Sequence, residues 1–574
     1  MHRSARKGED YLERLLSSGL VSAPGQELNR QARAGAKQKK RFLRASLAVV
    51  MFLLIGTATG VSYRSYRSWK TDSAVRRHLS AASVHMTSGT LDGSRAAARE
   101  AERALMLQPN NPAALAQLAS ARVLAWLLYG ERAGVDMILG GPLPRTGPND
   151  DAERHLAIAR AAIPLARILS ERSAPPAPST VNQYLREARL EIDAALGRWP
   201  GEPWLGILSG LEHQLAGDRH AARNDLETLL NRGAKSPLAA ALLGDILNDD
   251  GAHEDALDAH ERALEWERGH PLALCGRALT RIDQRLELDK ALDDLEVGIP
   301  DQAGPLLLAC KRIGLGLIRL AVEDPQKAGL ALDEAERALA MQATPRILAR
   351  LALARVAQGK IAAAQAIFAG LNGHPAFPVE HPLHAILAAE LALARGDPGE
   401  ASRLLEGVHG LVAMGARGRA LLDQGRPAAA LRELSLVLGA APGDKWASVF
   451  GELCKVHVRA PRIREESAQV ARALAPLNQL ARASVSTLPR FALGEAYLVL
   501  ADRQAARREL MASVDESNPL RYRALTRLAE ILVSESSPEH SEAIKWLREA
   551  LAVAPGYAPA LAALKELGAH AGPN

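Results

Sequence analysis

At 574 residues the chain is too long for one compact core, and length alone suggests three or four domains. Apolar residues make up 48% of it but Phe, Tyr and Trp only 4%, so Ala and Leu must build the core; that composition favours helix and leaves little from which to make strands. The net charge of +6 is uneven: residues 1–70 hold 14 Lys and Arg against four acids, leaving 57 basic and 61 acidic residues in 71–574. A large, mildly acidic body excludes a nucleic-acid groove, which needs a clustered positive face.

Residues 1–44 read as a basic cytoplasmic lead. Within it EDYLERLLSSGL places Tyr11, Leu12, Leu15 and Leu16 on one helical face, either a docking helix for a cytoplasmic partner or a short helix resting on anionic lipid. Residues 45–63, ASLAVVMFLLIGTATGVSY, carry no charge and are just long enough to cross the hydrocarbon core as one helix. Lys37, Lys39, Lys40, Arg41 and Arg44 precede them, Arg64, Arg67 and Lys70 follow, and Tyr63, Tyr66 and Trp69 stand where an aromatic belt is expected. A cleaved signal peptide would begin much nearer Met1. The larger basic excess before the segment predicts a cytoplasmic N-terminus and a body outside: in a bacterium, a single-pass inner-membrane protein with a periplasmic body. Residues 64–77 then form a juxtamembrane linker.

From 78 to 568 small residues recur on a grid. Gly217 to Gly251 is 34 residues, and Ala222 to Ala256 is again 34. In LAAALLGDILNDDGAHEDALDAHERALE, the pair Leu243-Gly244 with Leu247 marks one helix, Gly251 a turn, and Ala256 and Ala263 the next helix. Small residues let helix axes approach while large ones fill the gaps. The grid returns at Ala97, Ala104 and Pro109; at Ala188, Ala195 and Pro200; at Leu351, Gly359, Ala364 and Phe368; at Gly396, Asp397 and Ala401; at Gly425, Ala430 and Pro442; at Leu493-Gly494, Tyr497, Asp502 and Ala506; and at Ala543, Ala550 and Pro555. PALAALKELG closes it as a capping helix, before a tail at 569–574. Spacing slips at 285–304, 370–380 and 443–485, where superhelical segments are expected to meet at angles. An irregular insertion at 138–180, bracketed by GGPLPRTGPND and APPAPST, contains a helix from near Asp151 and reads as a decorated loop or a site.

These units resemble the tetratricopeptide repeat (TPR). The resemblance implies an all-α TPR-type solenoid of about eleven helix-turn-helix repeats, preceded here by one transmembrane helix. It also implies that first helices line a concave groove for protein partners. Carried over residue by residue, the inward places are Trp204, Ile207, Leu211, Ala241, Asp245, Asn248, Leu353, Ile386, Glu390, Arg419, Phe491 and Glu495. The family's carboxylate clamp needs Asn, Lys and Arg on successive first helices; here those places hold mainly Leu, Ala, Ile and acids, so that activity is not implied. A largely apolar groove suits a helix or an apolar peptide segment. A tightly wound superhelix that buries the same residues against its own turns is the competing reading.

No GxxxxGK[ST], HExxH, GxSxG or GxGxxG is present, and Gly314 and Gly316 lack the rest of a phosphate loop. The acid pairs Asp249-Asp250 and Asp293-Asp294 read as turn or polar-face residues, and the 16 histidines as solvated side chains. Cys275, Cys310 and Cys454 have no CxxC spacing; they are buried thiols, or Cys275 and Cys310 are bridged if the body lies in an oxidising compartment. The sequence thus implies no catalytic residues, metal, cofactor or small-molecule substrate. It leaves a membrane-anchored scaffold or adaptor of a bacterial envelope complex serving secretion, pili, motility or envelope biogenesis. Two alternatives stay open: a sensory module whose cytoplasmic lead reports binding to the solenoid, and a cytoplasm-facing assembly or quality-control adaptor.

Overall fold

The computed structural model describes residues 24–139, 150–170, 178–301, 303–340, 343–463, 467–534 and 540–569, with side chains except at 24–45, 48, 170, 178 and 467. The expected docking helix at Tyr11, Leu12, Leu15 and Leu16 lies outside these residues, as do parts of the 138–180 insertion and nearly all of the 569–574 tail. Among the described residues there are 27 α-helices, one 3-10 turn and no strand. The chain divides into two units, Met1–Arg77 and His78–Asn574.

The helix Pro24–Met86, which starts in the first unit and ends in the second, runs through the apolar stretch and on through 64–77, so the expected linker is helical. No helix among the described residues is long and apolar enough to cross a membrane; Ala45 and Ala48 of the apolar run are outside the described side chains. The remaining side chains of the run point outward, with Leu47 64% and Phe52 80% exposed, and Tyr66 stacks on Trp69 at 6.2 Å.

In the second unit the sequence starts and stops its helices by a repeated device. An acceptor side chain followed by proline opens many of them, as at Asn111-Pro112, Ser236-Pro237, Asp324-Pro325, Thr344-Pro345 and Asp397-Pro398; the side chain caps a free N–H and proline occupies a place that needs none. Successive helices pack as antiparallel pairs, and first helices also touch the first helix of the next pair, the contact pattern of a solenoid. Gly244 shows why the small residues are where they are. A Cβ there would stand 2.6 Å from the ring of His260, and one at Gly276 would also strike it. The fully buried imidazole thus fills the space that two glycines on neighbouring first helices leave open.

The helix expected near Asp151 is Asp150–Ser170, with Leu156, Ile158, Leu165 and Ile168 in the core; it packs on Pro112–Tyr129 and Pro178–Arg198 as a solenoid helix. The three spacing slips do not divide the body, and across the third, 443–485, one apolar core runs on through Phe450, Leu453, Leu474 and Leu477. A nine-residue helix, Leu288–Glu296, absorbs the first; the 372–381 loop, pinned by buried Phe377, absorbs the second. The two large apolar cores instead meet on the helix Pro345–Ala357, which gives Ile347, Leu351 and Ala354 to one and Ala349 and Ala352 to the other.

The turns within helix pairs make a second set of contacts, with chain about 160 residues further on. Gly217 meets Pro375 and Pro378, Gly251 meets His409, Arg285 pairs with Asp444, Glu323 binds Ser484 and Val485, Gly359 meets Pro519, and Gly396 meets Tyr557 and Pro559. Each turn of the superhelix therefore rests on the next. All six turn residues have positive φ. At Gly217 and Gly359 glycine is required twice over: φ is +83° at both, and an added Cβ would lie 2.5 Å from the Pro375 carbonyl oxygen or 2.8 Å from Pro519 Cα.

Gly425 separates the two requirements, since its φ is +70° but nothing lies within 4 Å of its missing Cβ. Gly425→Ala should cost about 1–2 kcal/mol from the left-handed backbone alone. Gly359→Ala should cost at least about 1 kcal/mol more, by overpacking between superhelical turns. Thermal unfolding of the two variants side by side checks this; equal shifts would mean the turns do not touch.

Candidate partner-binding site

The inner surface of the second unit is cross-braced by charge. On the helix Pro237–Asp249, Asp245 and Asp249 stand four residues apart and so share one face; on Pro345–Ala357, Arg346 and Arg350 do the same. The two faces oppose each other. Arg346 Nη1 reaches Asp245 Oδ2 at 3.1 Å and its Nε donates to Asp249 Oδ2 at 2.6 Å. Arg350 Nη2 lies 3.4 Å from Asp249 Oδ1 and 2.8 Å from Asp283 Oδ2, on the helix Pro271–Asp283. Asn248 Nδ2 donates to Asp283 at 3.0 Å, and Asn248 Oδ1 lies 2.8 Å from His253 Nδ1. Asp249 and Arg350 are 5% and 3% exposed, so these charges are out of water and depend on one another.

The two acids respond differently to the same neighbourhood. Burial, the largest influence, raises the Asp245 pKa, with only partial compensation from Arg346. Burial is likewise the largest influence on Asp249, but Arg346 and Arg350 beside it hold its carboxyl below the ordinary range.

The brace separates two apolar cavities. One, of about 150 Å³, is walled by leucines that include Leu211, Leu242, Leu279 and Leu307, and by the disulfide Cys275–Cys310, which joins the first helices of successive pairs. The other, of about 170 Å³, is lined by Leu353, Ile386, Leu411, Val437 and Trp446. Asp249 borders both. At the far end of the second, Arg419 pairs with Glu390 and lies over the Trp446 ring at 4.8 Å.

Of the residues expected inward, Asn248, Leu353, Ile386, Glu390 and Arg419 come together around the second cavity, and Leu211 and Asp245 border the first. Trp204, Ile207, Ala241 and Phe491 are buried in the cores. Glu495 stands apart from both cavities, paired with Arg527 at 2.9 Å. Two expectations are corrected. Asp249 is not a polar turn residue but the centre of the brace, and Asp294 is buried between Arg277 and Arg281, each at 2.7 Å. In both cases an arginine pair supplies the partner that solvent was expected to supply. Nor are all histidines solvated: His155, His260, His270, His374, His381 and His384 are buried. Sequence reading missed Asp283, Arg346 and Arg350; the available signal was two arginines one helical turn apart on a first helix whose other residues are apolar except Arg355.

No protein-family model matches the chain, and no curated protein matches it. Among solved structures, it is similar to that of the APC/C hetero-tetramer Cut9-Hcn1, at 14% identity over 83% of this chain and 93% of that one, with a TM-score of 0.33. A tetratricopeptide repeat protein from Parabacteroides merdae ATCC 43184 matches at 18% identity over 43% and 97%, TM-score 0.24. The human IFIT1 dimer with PPP-AAAA matches at 12% identity over 62% and 84%, TM-score 0.33.

Several buried histidines must stay neutral to do their work. Nδ1 of His270, His374 and His381 accepts a backbone N–H, from Ala273, Ala376 and Leu383. Burial lowers each of these pKa values from 6.5 to about 4. Between these values the unfolded chain binds more protons than the folded one, so stability is intact above pH 6.5 and falls as pH drops towards 4, by about 1.4 kcal/mol per unit for each imidazole. His381→Asn keeps an acceptor without the titration and should flatten the slope of thermal midpoint against pH; an unchanged slope would show that His381 is not one of the groups responsible.

Proposed function

We propose that this protein is a membrane-tethered α-solenoid scaffold that holds a protein partner on its inner face during assembly or operation of a bacterial envelope complex, for secretion, pili, motility or envelope biogenesis. The observation that carries the reading is the pair of apolar cavities on that face. Cavities lined by aliphatic side chains, with a few fixed polar groups at their edges, suit the apolar side chains of a helix or peptide segment. Leu353, Ile386, Glu390 and Arg419 are the residues assigned to such contact.

The tether is assigned to 45–63. A helix that points Leu47, Leu53, Leu54, Ile55 and Phe52 outward needs a non-aqueous surrounding, and basic clusters on both sides suit headgroups. The Cys275–Cys310 disulfide supports a body on the oxidising side of the membrane, as the larger basic excess before the helix does. A bridge closing a loop of this length stabilises by roughly 3–4 kcal/mol in the chain-entropy account, provided the compartment lets it form.

Two measurements test the proposal. A photo-cross-linking side chain at Leu353 or Ile386 should capture envelope proteins in cells, while one at Val297, 84% exposed and remote from both cavities, should not give the same adducts. Alkaline extraction should leave the full chain in the membrane fraction and release a chain lacking 45–63, and protease added to spheroplasts should digest the body. Adducts drawn only from cytoplasmic proteins, with a body protected in spheroplasts, would reverse the orientation.

A further inference from the structure

The edge on which superhelical turns stack changes character late in the chain. At Gly217, Gly251, Gly359 and Gly396 a glycine lets chain of the next turn approach. Arginines on the same edge are answered there by carboxylates of this chain, Arg219 by Asp250 and Arg285 by Asp444. The pairs that begin with Leu411–Asp423, Lys445–Arg459 and Leu488–Val499 have their turns on the same edge. Two of these turns keep the left-handed backbone, with φ of +70° at Gly425 and +61° at Ala501. Close packing is gone: Gly425 has nothing within 4 Å of its missing Cβ, and Ala501 is exposed. In its place the three turns carry Arg426, Arg459, Arg462 and Arg503, all exposed. None of these four side chains has an ion-pair partner among the described residues.

A complement lies on the same molecule, one superhelical turn earlier. On the outer helix His253–Trp266, the acids Glu254, Asp258, Glu261 and Glu265 follow at i, i+4, i+7 and i+11 and so form one stripe. All four are exposed, and none has an ion-pair partner among the described residues. At 1.5 Å per residue the stripe is about 16 Å long. The arginine row crosses three neighbouring pairs whose first helices touch in order, and at helix spacings of about 8–10 Å it spans about 16–20 Å. The contrast extends beyond these residues: 241–340 holds 11 Lys and Arg against 21 acids, and 411–510 holds 15 against nine. Row and stripe match in length and oppose in sign, yet within one chain they do not meet.

We propose that the arginine row of one copy docks on the acidic stripe of a second copy of this chain. The two patches differ, so the contact is heterologous: each copy keeps one row and one stripe free, and association continues past two. Exposed ion pairs contribute little singly, so the contact depends on several acting together and weakens with salt. None of the eight residues lines either inner cavity, so each inner face stays clear in the assembly. The contact needs neither a partner in that face nor the tether, and its test stands apart from theirs.

Sedimentation velocity of the full-length chain in neutral detergent, over a concentration series, decides it. The wild type should associate in about 0.05 M salt and roughly tenfold more weakly in about 0.5 M, where screening is far stronger. Arg426→Glu/Arg459→Glu/Arg503→Glu should abolish association, and so should Asp258→Lys/Glu261→Lys/Glu265→Lys, because each variant sets like charges face to face. A mixture of the two variants should associate again, since the reversed row then meets the reversed stripe. No association of the wild type, or association unmoved by salt, overturns the proposal. So does association that survives either reversal, or a mixture that stays apart. All six substitutions are at exposed positions; should one set still lower helicity, the salt dependence of the wild type and the other set decide.

Discussion

The body is governed by contact between successive superhelical turns. A stack of helix pairs that touched only its neighbours would leave its inner face wet and its turns free to carry any polar residue. Here the turns at Gly217, Gly251, Arg285, Glu323, Gly359 and Gly396 rest on chain about 160 residues later, and at the closest of them the residue is fixed by that approach. Glycine at 217 and 359 answers to a backbone oxygen and a Cα atom on the next superhelical turn as well as to its own dihedral angle. Closure also takes the groups at the brace out of water. The charges buried there are paired, Asp249 and Arg350 across the axis and Glu390 with Arg419 on the next first helix.

The brace follows from that desolvation. Asp245 and Asp249 occupy one face of one helix, yet burial wins at Asp245 and arginine wins at Asp249. The difference lies in partners: Asp249 receives both arginines, whereas Asp245 receives one and leaves Oδ1 unpaired, with the buried His260 ring 3.9 Å away. Exposed ion pairs such as Arg403–Glu400, one turn apart on a single short helix, have no such leverage because water screens them.

Local features of the fold were legible in the sequence. The small residues at Gly244 and Ala256 are decided by neighbours within one repeat, and a 34-residue period displays them directly; the turn glycines recur on the same period, although Gly217 and Gly359 answer also to chain about 160 residues on. The body's continuity was less legible: spacing slips at 285–304, 370–380 and 443–485 looked like breaks, but a short helix and a pinned loop absorb the extra residues while the cores run on and meet elsewhere. The site was half legible. Leu353, Ile386, Glu390 and Arg419 were found because first-helix position predicts an inward face. Trp204, Ile207, Ala241 and Phe491 share that position and are core instead, since whether an inward face meets solvent depends on how tightly the superhelix winds. Asp283, Arg346 and Arg350 were missed for the same reason, their partners lying on another helix across the axis.

A buried ionic cluster is poor evidence of stability, because desolvation offsets most of what the pairs contribute. Its value here is discrimination. Leucine against leucine is nearly degenerate in a solenoid: a shift of one repeat brings another leucine to the same place, so apolar contact across the axis does not fix which first helices face each other. Two acids one helical turn apart facing two arginines one helical turn apart are less degenerate: one repeat on, Asp283 stands in the place of Asp249, but Leu279 stands in that of Asp245.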